Sequence, residues 1–384
     1  MYVEVTGDYM YLECAVCEKR IEDNSILCPD CKGPIQVYYD YDSMRLSRED
    51  FHGRTIWRYR ELLPFEKITR LVTLNEGSTP LQRSDTIGDD LALDLWFKLE
   101  SHNPTGSFKD RGSAVELTKA LEREAKSIVC ASTGNMASSV SAYSAKAGLK
   151  CKMVVPKNAP VAKITMMELY GAEVEFVDGG FDEAVSTAME YAKDPSVQFA
   201  GDYYWRREGQ KTIAFEIWEQ LPNVDWVVVP VGSGVLLSAI YKGFWELKKL
   251  KLTDRIPRLV GVQAEGCSPV ALAWKGYKLR KWEKAQTIAS AIEVLNAFDA
   301  PLALEAAKES GGKIISVSDK EIMESLVELA RREGIFVEPG AAASIAGVLK
   351  NWKTFDGRVV CVLTGYGLND FQTVKDYLEG KLKI

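Results

Sequence analysis

Short apolar runs alternate with helical stretches from about residue 95 to the end of the chain. The runs are rich in valine, isoleucine and leucine, and about 10 to 20 residues of helical periodicity separate most of them. Strands buried on both faces of a parallel sheet have this composition. The pattern predicts an α/β fold with a mostly parallel sheet, although it does not separate an open sheet from a closed barrel. The expected strands are residues 95–100, 128–131, 151–155, 174–177, 226–231, 259–263, 314–317 and 359–363.

Two closely spaced cysteine pairs occur near the start of the chain. Two residues lie between the cysteines of each pair, and ten residues separate the pairs. This spacing lets two turns direct four thiolates at one tetrahedral ion, which predicts a zinc ribbon over residues 1–45. Four thiolate ligands leave no open position, so the zinc is expected to be structural, while a rubredoxin-like iron would use the same ligands. The expected ligands are Cys14, Cys17, Cys28 and Cys31.

Composition narrows the class of protein. A chain of 384 residues is expected to contain two or three folding units. The formal charge of -6 argues against nucleic acid as the main partner. No apolar run approaches the roughly 20 residues of a membrane span, and residues 1–5 lack the features of a signal peptide, which favours a cytoplasmic protein. The only histidines are His52 and His102, which argues against a Ser-His-Asp catalytic triad.

Lys109 lies in a run of small and polar residues, NPTGSFKDR at 103–111, immediately before an expected helix. A lysine nucleophile needs a neutral amine, which requires dry surroundings or nearby positive charge. Phe108 and the following helix are candidates for the dry surroundings. Asp110 and Arg111 are expected to pair with each other or with the fold. Taken alone, however, a single lysine is usually a solvated surface charge.

Three further loops follow expected strands, where backbone N–H groups can face an anion. One is STGN at 132–135, which opens a helix. Another is GSGVL at 232–236, whose glycines let backbone amides approach a phosphate. The last is TGYG at 364–367, directly after a strand. Taken alone, the loop at 132–135 is equally compatible with a helix N-cap and the loop at 232–236 with a tight turn. The loop at 364–367 is equally compatible with an ordinary threonine at a strand end.

Together with EGSTPL at 76–81 and EPGAAAS at 338–344, these motifs resemble those of threonine synthases, the archaeal type with an N-terminal zinc ribbon, within the fold type II pyridoxal-phosphate enzymes. They occur in the family's order along nearly the whole chain. The resemblance implies a tryptophan synthase beta-like fold in residues 46–384, with two mostly parallel-sheet lobes, the smaller at about 125–205. It also implies pyridoxal 5'-phosphate as cofactor and a homodimer.

The resemblance also implies roles for individual residues. Lys109 would bond the cofactor aldehyde, Asn135 would meet the ring hydroxyl, and Thr364 would meet the ring nitrogen. The implied cofactor-binding residues are Lys109, Phe108, Asn135, Gly232, Ser233, Gly234, Val235, Leu236 and Thr364. The implied substrate-binding residues are Ser78, Thr79, Ser132, Thr133, Gly134, Arg206 and Lys211, with Arg206 on a substrate phosphate.

The chain departs from the family's pattern at two places. Threonine synthases usually carry Asn-Ser, two residues and then Asn-Pro before this arginine, whereas here the chain reads GDYYW at 201–205. An aspartate near a dianionic leaving group would repel it, and aromatic side chains cannot replace lost amide donors. Ser233 also stands where the family has asparagine. The departure at 201–205 bears on the substrate, whereas Ser233 lies in the cofactor loop at 232–236; the other cofactor motifs are intact.

The resemblance implies threonine synthase activity, the conversion of O-phospho-L-homoserine and water to L-threonine and phosphate. A serine or threonine ammonia-lyase shares every cofactor motif and remains an alternative, as does another pyridoxal-phosphate-dependent beta-replacement enzyme. The non-enzyme alternative is a zinc-ribbon binding protein on an inactive fold of this kind. All the enzyme hypotheses predict a small amino-acid substrate.

Overall fold

The computed structural model describes residues 10–22, 25–65, 68, 70–157, 159, 161–382 and 384. Residues 1–9 and 23–24 of the expected ribbon unit lie outside them. The strands are β1 Met10–Cys14, β2 Arg20–Ile21, β3 Ile35–Tyr39, β4 Leu81–Arg83, β5 Asp94–Leu99, β6 Ser127–Ala131, β7 Lys150–Pro156, β8 Glu173–Val177, β9 Val197–Ala200, β10 Trp226–Pro230, β11 Arg258–Ala264, β12 Lys313–Val317 and β13 Arg358–Leu363. The helices are α1 Ile87–Asp90, α2 Lys109–Glu122, α3 Asn135–Ala147, α4 Val161–Leu169, α5 Phe181–Tyr191, α6 Tyr204–Gln210, α7 Thr212–Gln220, α8 Val235–Lys249, α9 Pro269–Trp274, α10 Ala300–Glu309, α11 Asp319–Glu328, α12 Pro339–Asn351 and α13 Phe371–Leu378.

Within these described residues the strands form three open sheets. The largest has the order β12-β11-β10-β13-β5-β4 and is parallel except for β4, which runs antiparallel to β5. The second has the order β8-β7-β6-β9 and is wholly parallel. Each predicted strand is found to within one residue at either end. The α/β prediction is confirmed, and the sheets are open rather than closed into a barrel.

The six-stranded sheet is covered on both faces by helices. Along β10, Val228 belongs to a core that includes Ile345 of α12, whereas Val227 and Val229 belong to a core that includes Leu237 of α8. Successive side chains of a strand point to opposite faces. Because both faces are buried, β10 is an uninterrupted apolar run rather than an alternating one.

The four-stranded sheet repeats this arrangement. Ile128 and Cys130 of β6 lie in a core that contains residues of α2 and α3, while Val129 and Ala131 face Ala184 of α5. All four strands of this sheet fall between residues 127 and 200. The loops after β6 and β9 therefore lie at the carboxyl ends of the strands of this sheet. The loops after β10 and β13 lie at the carboxyl ends of the strands of the larger sheet.

Helices α2 and α6 cross at close range. A Cβ atom added at Gly209 would lie 2.0 Å from the carbonyl oxygen of Arg111, and one added at Gly112 would lie 3.0 Å from Cβ of Arg206. Only glycine leaves room for such an approach. The crossing fixes the start of α2, which carries Lys109, against the segment that precedes α6.

A network of fully buried charges lies beneath this crossing. The Arg111 guanidinium donates to Glu100 Oε2 at 2.7 Å and to Glu216 Oε1 at 2.7 Å, and Lys98 Nζ donates to Glu216 Oε2 at 2.7 Å. Burial alone would raise the pKa of Glu216, but Arg111 and Lys98 outweigh burial and lower it. Asp110 instead accepts hydrogen bonds from elsewhere in the fold. Of the two alternatives for Asp110 and Arg111, pairing with the fold is therefore the one observed.

The N-terminal unit is a small antiparallel sheet of order β2-β1-β3 that docks on α6 and α8. Tyr39 Oη donates to Glu208 Oε2 at 2.6 Å, and Arg207 Nη1 donates to the carbonyl oxygen of Ile35 at 2.8 Å. Lys242 Nζ donates to the carbonyl oxygen of Val37 at 2.5 Å. These buried polar contacts attach the unit to the helix that begins just after Asp202. In the part of the chain that the structure describes, no helix has the length and apolar character needed to cross a membrane.

Candidate active site

Lys109 is the first residue of α2 and lies beside Asp202, which follows β9 of the four-stranded sheet, and beside the loop after β13 of the six-stranded sheet. The region between these segments is called the cleft. The preceding segment is held by backbone hydrogen bonds from Phe108 N to Thr364 O at 3.1 Å and from Tyr366 N to Gly106 O at 2.9 Å. Lys109 Nζ lies 2.8 Å from both carboxylate oxygens of Asp202 and 4.9 Å from the Phe108 ring centroid. With 15% of its side chain exposed, Lys109 is sheltered but reachable.

The loop after β10 leads directly into α8. Gly234 has φ +102°, and a Cβ atom there would lie 3.0 Å from the carbonyl oxygen of Asp299, so only glycine fits without strain. Ser233 is buried, and its hydroxyl donates to Asp202 Oδ2 at 3.3 Å. The amides at the start of a 15-residue helix carry the positive end of its dipole. This loop can therefore bind an anion a short distance from Lys109.

The loop after β6 opens helix α3 on the other side of the cleft. Ser132 Oγ accepts a hydrogen bond from Gly134 N at 3.2 Å, and a Cβ atom added at Gly134 would meet nothing within 4 Å. Asn135 Nδ2 donates to both carboxylate oxygens of Glu338, at 2.8 and 2.9 Å. Asn135 and Glu338 therefore join the two sheets at the cleft, and the loop itself stays open to a ligand.

Glu338 is the buried carboxyl group at the start of α12. A Cβ atom added at Gly365 would lie 2.3 Å from Glu338 Oε1, so any other residue there would displace the Glu338 carboxylate. Burial raises the pKa of Glu338 to about 7, against opposing contributions from Asn135 and Lys163. Neither Lys163 nor the pairing of Glu338 with Asn135 was identified from the sequence, because both depend on contacts between the lobes.

Replacing Glu338 with glutamine is expected to remove part of the pH dependence of stability. Between its ordinary pKa of 4.5 and about 7, Glu338 holds its proton in the folded state but not in the unfolded state. The folded state binds more protons in this window, so the free energy of unfolding falls as pH rises, by up to about 3 kcal/mol. Urea unfolding at pH 5 and pH 7.5 should show a smaller difference for Glu338→Gln than for wild type.

The matched control for this prediction is Glu324→Gln, because Glu324 is 56% exposed on α11. That variant should keep the pH dependence of wild type. An equal pH dependence in Glu338→Gln and wild type would contradict the assignment of the titration to Glu338.

Ser78 and Thr79, the predicted substrate-binding residues of the EGSTPL motif at 76–81, differ in their exposure. Ser78 is exposed and has φ +51°, while Thr79 is buried and its hydroxyl donates to Glu100 Oε1 at 2.7 Å. The backbone N–H of Ser78 donates to Glu216 Oε1 at 2.7 Å. The segment is thus fastened to the buried charge network, and Ser78 is the member of the pair whose side chain can meet a ligand.

Arg206 and Lys211 are both fully buried. Arg206 Nη1 donates to Glu116 Oε2 at 2.8 Å, and Arg206 Nη2 donates to the carbonyl oxygen of Lys109 at 2.9 Å. Lys211 Nζ contacts Glu246 Oε1 at 2.8 Å and lies 4.5 Å from the ring centroid of Tyr39 in the N-terminal unit. The charge of Lys211 is used within the fold, so its role as a substrate ligand stays a prediction that this geometry does not favour.

Asp202 is the residue of the site whose role the sequence did not indicate. Asp202 lies in the segment that departs from the family's pattern, and from the sequence its carboxylate is expected to repel a phosphate. The structure shows its carboxylate paired with Lys109 instead. The only signal in the sequence was its position four residues before Arg206, since the contact with Lys109 depends on the crossing of α2 and α6.

Comparison with known proteins identifies the family. Residues 72–365 match the family described as pyridoxal-phosphate dependent enzyme. The chain belongs to the pyridoxal-phosphate dependent enzyme family. Lys109, the loops at 132–135 and 232–236, Glu338 and Thr364 lie within the matched residues, so the cofactor expected from the sequence is that of the family.

Two relatives within this pyridoxal-phosphate dependent enzyme family match almost end to end. A threonine synthase of Methanocaldococcus jannaschii is 40% identical over 98% of this chain and 96% of its own length. A threonine synthase of Methanosarcina acetivorans is 39% identical over 96% of this chain and 94% of its own length. The resemblance to threonine synthases is therefore confirmed over nearly the whole chain.

A solved structure confirms the fold expected for the family. The processed form of threonine deaminase isoform 2 from Solanum lycopersicum aligns with a TM-score of 0.68 over 78% of this chain and 87% of its own, at 23% identity. At that identity the likeness shows the fold alone. The fold type II architecture with two parallel sheets is therefore confirmed.

Proposed function

We propose that this protein is a threonine synthase, which converts O-phospho-L-homoserine and water to L-threonine and phosphate. The observation that carries the proposal is its 40% identity to a threonine synthase across 98% of the chain. Lys109, sheltered at the start of α2 beside the cleft, supports it because the reaction needs a lysine amine.

The residues present suit pyridoxal phosphate. Lys109 provides the amine for its aldehyde, the start of α8 provides N–H groups for its phosphate, and Thr364 provides a neutral hydroxyl for its ring nitrogen. Gly232 and Gly234 let this loop pack closely against Val294 and Asp299, which would hold its N–H groups in place for that phosphate. When bound, the cofactor withdraws electrons from the bonds at the substrate's α-carbon. Phe108, Ser233, Val235, Leu236 and Asn135 complete the proposed cofactor site.

The chain's own residues would orient the substrate and move its protons. The N–H groups at the start of α3, with Ser132, Thr133 and Gly134, are placed to bind the substrate carboxylate. Lys109 Nζ, once exchanged for the substrate's amino group, would carry protons between substrate carbons. With 15% of the side chain exposed and the Phe108 ring centroid 4.9 Å from Nζ, little water reaches this amine.

The substrate phosphate is the part of the proposal that depends on Arg206. Its Nη1 and Nη2 atoms are committed to Glu116, Ser113 and Lys109. Its buried Nε has no hydrogen-bond partner among the residues the structure describes and lies 3.7 Å from Asp202 Oδ1. Nε is therefore one donor that Arg206 would offer to a phosphate.

The deciding experiment is to incubate purified, cofactor-loaded protein with O-phospho-L-homoserine and to measure inorganic phosphate and threonine. Equal amounts of both would establish the synthase. A parallel assay of 2-oxo acid from L-serine and L-threonine tests the ammonia-lyase alternative, which the carboxylate of Asp202 in the site favours. Production of 2-oxo acid without phosphate release would replace the synthase by the lyase. A protein that never binds the cofactor would exclude every enzyme hypothesis.

We also propose a structural zinc ion held by Cys14, Cys17, Cys28 and Cys31. The four Sγ atoms lie within 4.8 Å of one another, with neighbours at 3.4 to 3.6 Å. A tetrahedral Zn–S distance of about 2.3 Å corresponds to sulfur separations of about 3.8 Å, so small shifts would complete the site. The two turns match, since Glu18 N donates to Cys14 O and Lys32 N donates to Cys28 O, each at 3.0 Å.

Removal of this metal is expected to destabilise the whole protein. The double variant Cys17→Ser, Cys31→Ser should contain no zinc and should unfold more easily, because release of the ribbon would leave buried Arg207 and Glu208 without Ile35 and Tyr39. Metal analysis should give about one zinc per wild-type chain, and a thermal melt should show a lower midpoint for the variant.

The control is Cys267→Ala, which removes a buried thiol outside the ribbon and should keep the metal. Iron in place of zinc in the wild type would correct the identity of the ion. Wild-type metal content in the double variant would contradict the site itself.

We further propose that residues 1–45 form the ribbon unit and residues 46–384 form two catalytic lobes, with the smaller at about 125–205. The four-stranded sheet, which lies between residues 127 and 200, supports the smaller lobe. A homodimer is proposed from the resemblance, and light scattering of the purified protein would test it against a monomer.

A further inference from the structure

The two departures from the family's sequence pattern meet at Lys109. Asp202 lies in one departing segment, and Ser233 is the other departure. In the structure the Ser233 hydroxyl donates to Asp202 Oδ2 at 3.3 Å, and both oxygens of Asp202 lie 2.8 Å from Lys109 Nζ. Two substitutions that are 31 positions apart in the chain thus form one contact around the reactive amine.

The fold fixes Asp202 from both sides. Glu116 Oε1 accepts from the backbone N–H of Gly201 at 3.2 Å, just before Asp202, and Glu116 Oε2 accepts from Arg206 at 2.8 Å, one turn after it. Glu116 is itself fully buried on α2, the helix that begins with Lys109. One carboxylate of α2 therefore sets the position of Asp202 relative to the lysine on the same helix.

The charge of Asp202 is also maintained. Burial opposes its ionisation, but Lys109 and Arg206 outweigh burial and hold the pKa of Asp202 below its usual range. With 16% of its side chain exposed, Asp202 has little water to compete with these partners. A lysine that becomes charged in such surroundings needs a counter-ion, since an unpaired buried ammonium is costly.

We propose that Asp202 is a further catalytic residue, whose carboxylate stabilises Lys109 Nζ as an ammonium after that amine has taken the substrate's α-proton. This role rests on the proposed function. In the step, the α-carbon–hydrogen bond breaks, its electron pair passes to the bound cofactor, and the proton forms a new bond to the neutral Nζ. Asp202 meets the resulting charge, and Ser233 keeps the carboxylate turned toward Nζ. The ammonium later returns the proton to a substrate carbon and becomes neutral again.

Exchange of the α-hydrogen measures this step directly. L-2-aminobutyrate has no leaving group, so in deuterated water it reports proton removal alone, by proton NMR. Asp202→Asn is expected to slow the exchange by about 10- to 100-fold, because a charged hydrogen-bond partner is lost. The visible absorbance of the bound cofactor should be retained. Asp202→Glu, which keeps a carboxylate, should recover part of the rate, and Ser233→Ala should lose a smaller part.

Cofactor-free protein gives a second, independent readout. Acetylation of Lys109 by a water-soluble active ester, followed by mass spectrometry, requires the amine to leave its ion pair. Lys109 should react about 10-fold faster in Asp202→Asn than in wild type. Asp178→Asn is the matched control, because Asp178 is 85% exposed and pairs with Lys157, which is 64% exposed. There the labelling of Lys157 should change by less than about 2-fold.

These outcomes separate the inference from the proposed function. Unchanged Lys109 labelling in Asp202→Asn, or α-hydrogen exchange at the wild-type rate, would overturn the role of Asp202. A wild-type protein that exchanges the α-hydrogen yet releases no phosphate from O-phospho-L-homoserine would overturn the synthase proposal alone.

Discussion

Lys109→Ala is expected to lower the rate of phosphate release from O-phospho-L-homoserine by at least about 1,000-fold. The variant loses both the amine that bonds the cofactor and the group that moves the substrate's protons, and a positioned acid or base alone contributes about 100- to 10,000-fold. Borohydride treatment followed by mass spectrometry should fix the cofactor on wild-type protein and leave Lys109→Ala unmodified.

The control for this result is Lys126→Ala, since Lys126 is exposed just before β6 and lies outside the cleft. That variant should keep the wild-type rate and the borohydride label. A Lys109→Ala protein within about 10-fold of the wild-type rate would mean that another lysine carries the reaction.

Arg111→Met is expected to lower the free energy of unfolding by about 3–5 kcal/mol. The substitution keeps an unbranched side chain of similar length. It leaves Glu100 without its guanidinium partner and Glu216 with Lys98 as its remaining cationic partner. Removal of one member of a fully buried ion network costs this much because the remaining charge stays out of water. Urea unfolding at pH 7 measures the change.

The matched control is Arg83→Met. Arg83 also contacts two carboxylates, those of Asp89 and Asp94, but its side chain is 45% exposed. Water screens such pairs, so the expected loss is below about 1 kcal/mol. An equal loss in Arg83→Met and Arg111→Met would show that burial is not the source of the effect.

In the two larger sheets, strands with several apolar residues could be predicted from the sequence, including the partly exposed edge strand β8, whereas short strands with few apolar residues could not. The valine run of β10 needs no alternation because α8 and α12 cover both of its faces. Strand β9, with the burial pattern of a half-buried edge, has too few apolar residues to stand out. The short β4 is the antiparallel edge strand of the six-stranded sheet, and it too has few apolar residues and was not predicted.

The candidate site was predictable where a loop and its chemistry are contiguous in the chain. Lys109 and the loops at 132–135, 232–236 and 364–367 each combine a strand or helix end with small residues, and in the structure hydrogen bonds connect them, directly or through Asp202 and Glu338. Pairings between distant segments were not predictable. The contacts of Asp202 with Lys109 and of Asn135 with Glu338 each depend on how two helices or two lobes pack.

The hydrogen bond between Ser233 and Asp202 limits which residues can replace either of them during evolution. Each side chain is part of the other's surroundings, so a change at one position alters what is tolerated at the other. Changing Ser233 to the family's asparagine would replace the hydroxyl donor by an amide donor of different length, and removing the carboxylate of Asp202 would take the acceptor from both Ser233 and Lys109. The residues at these two positions are therefore expected to vary together among these enzymes.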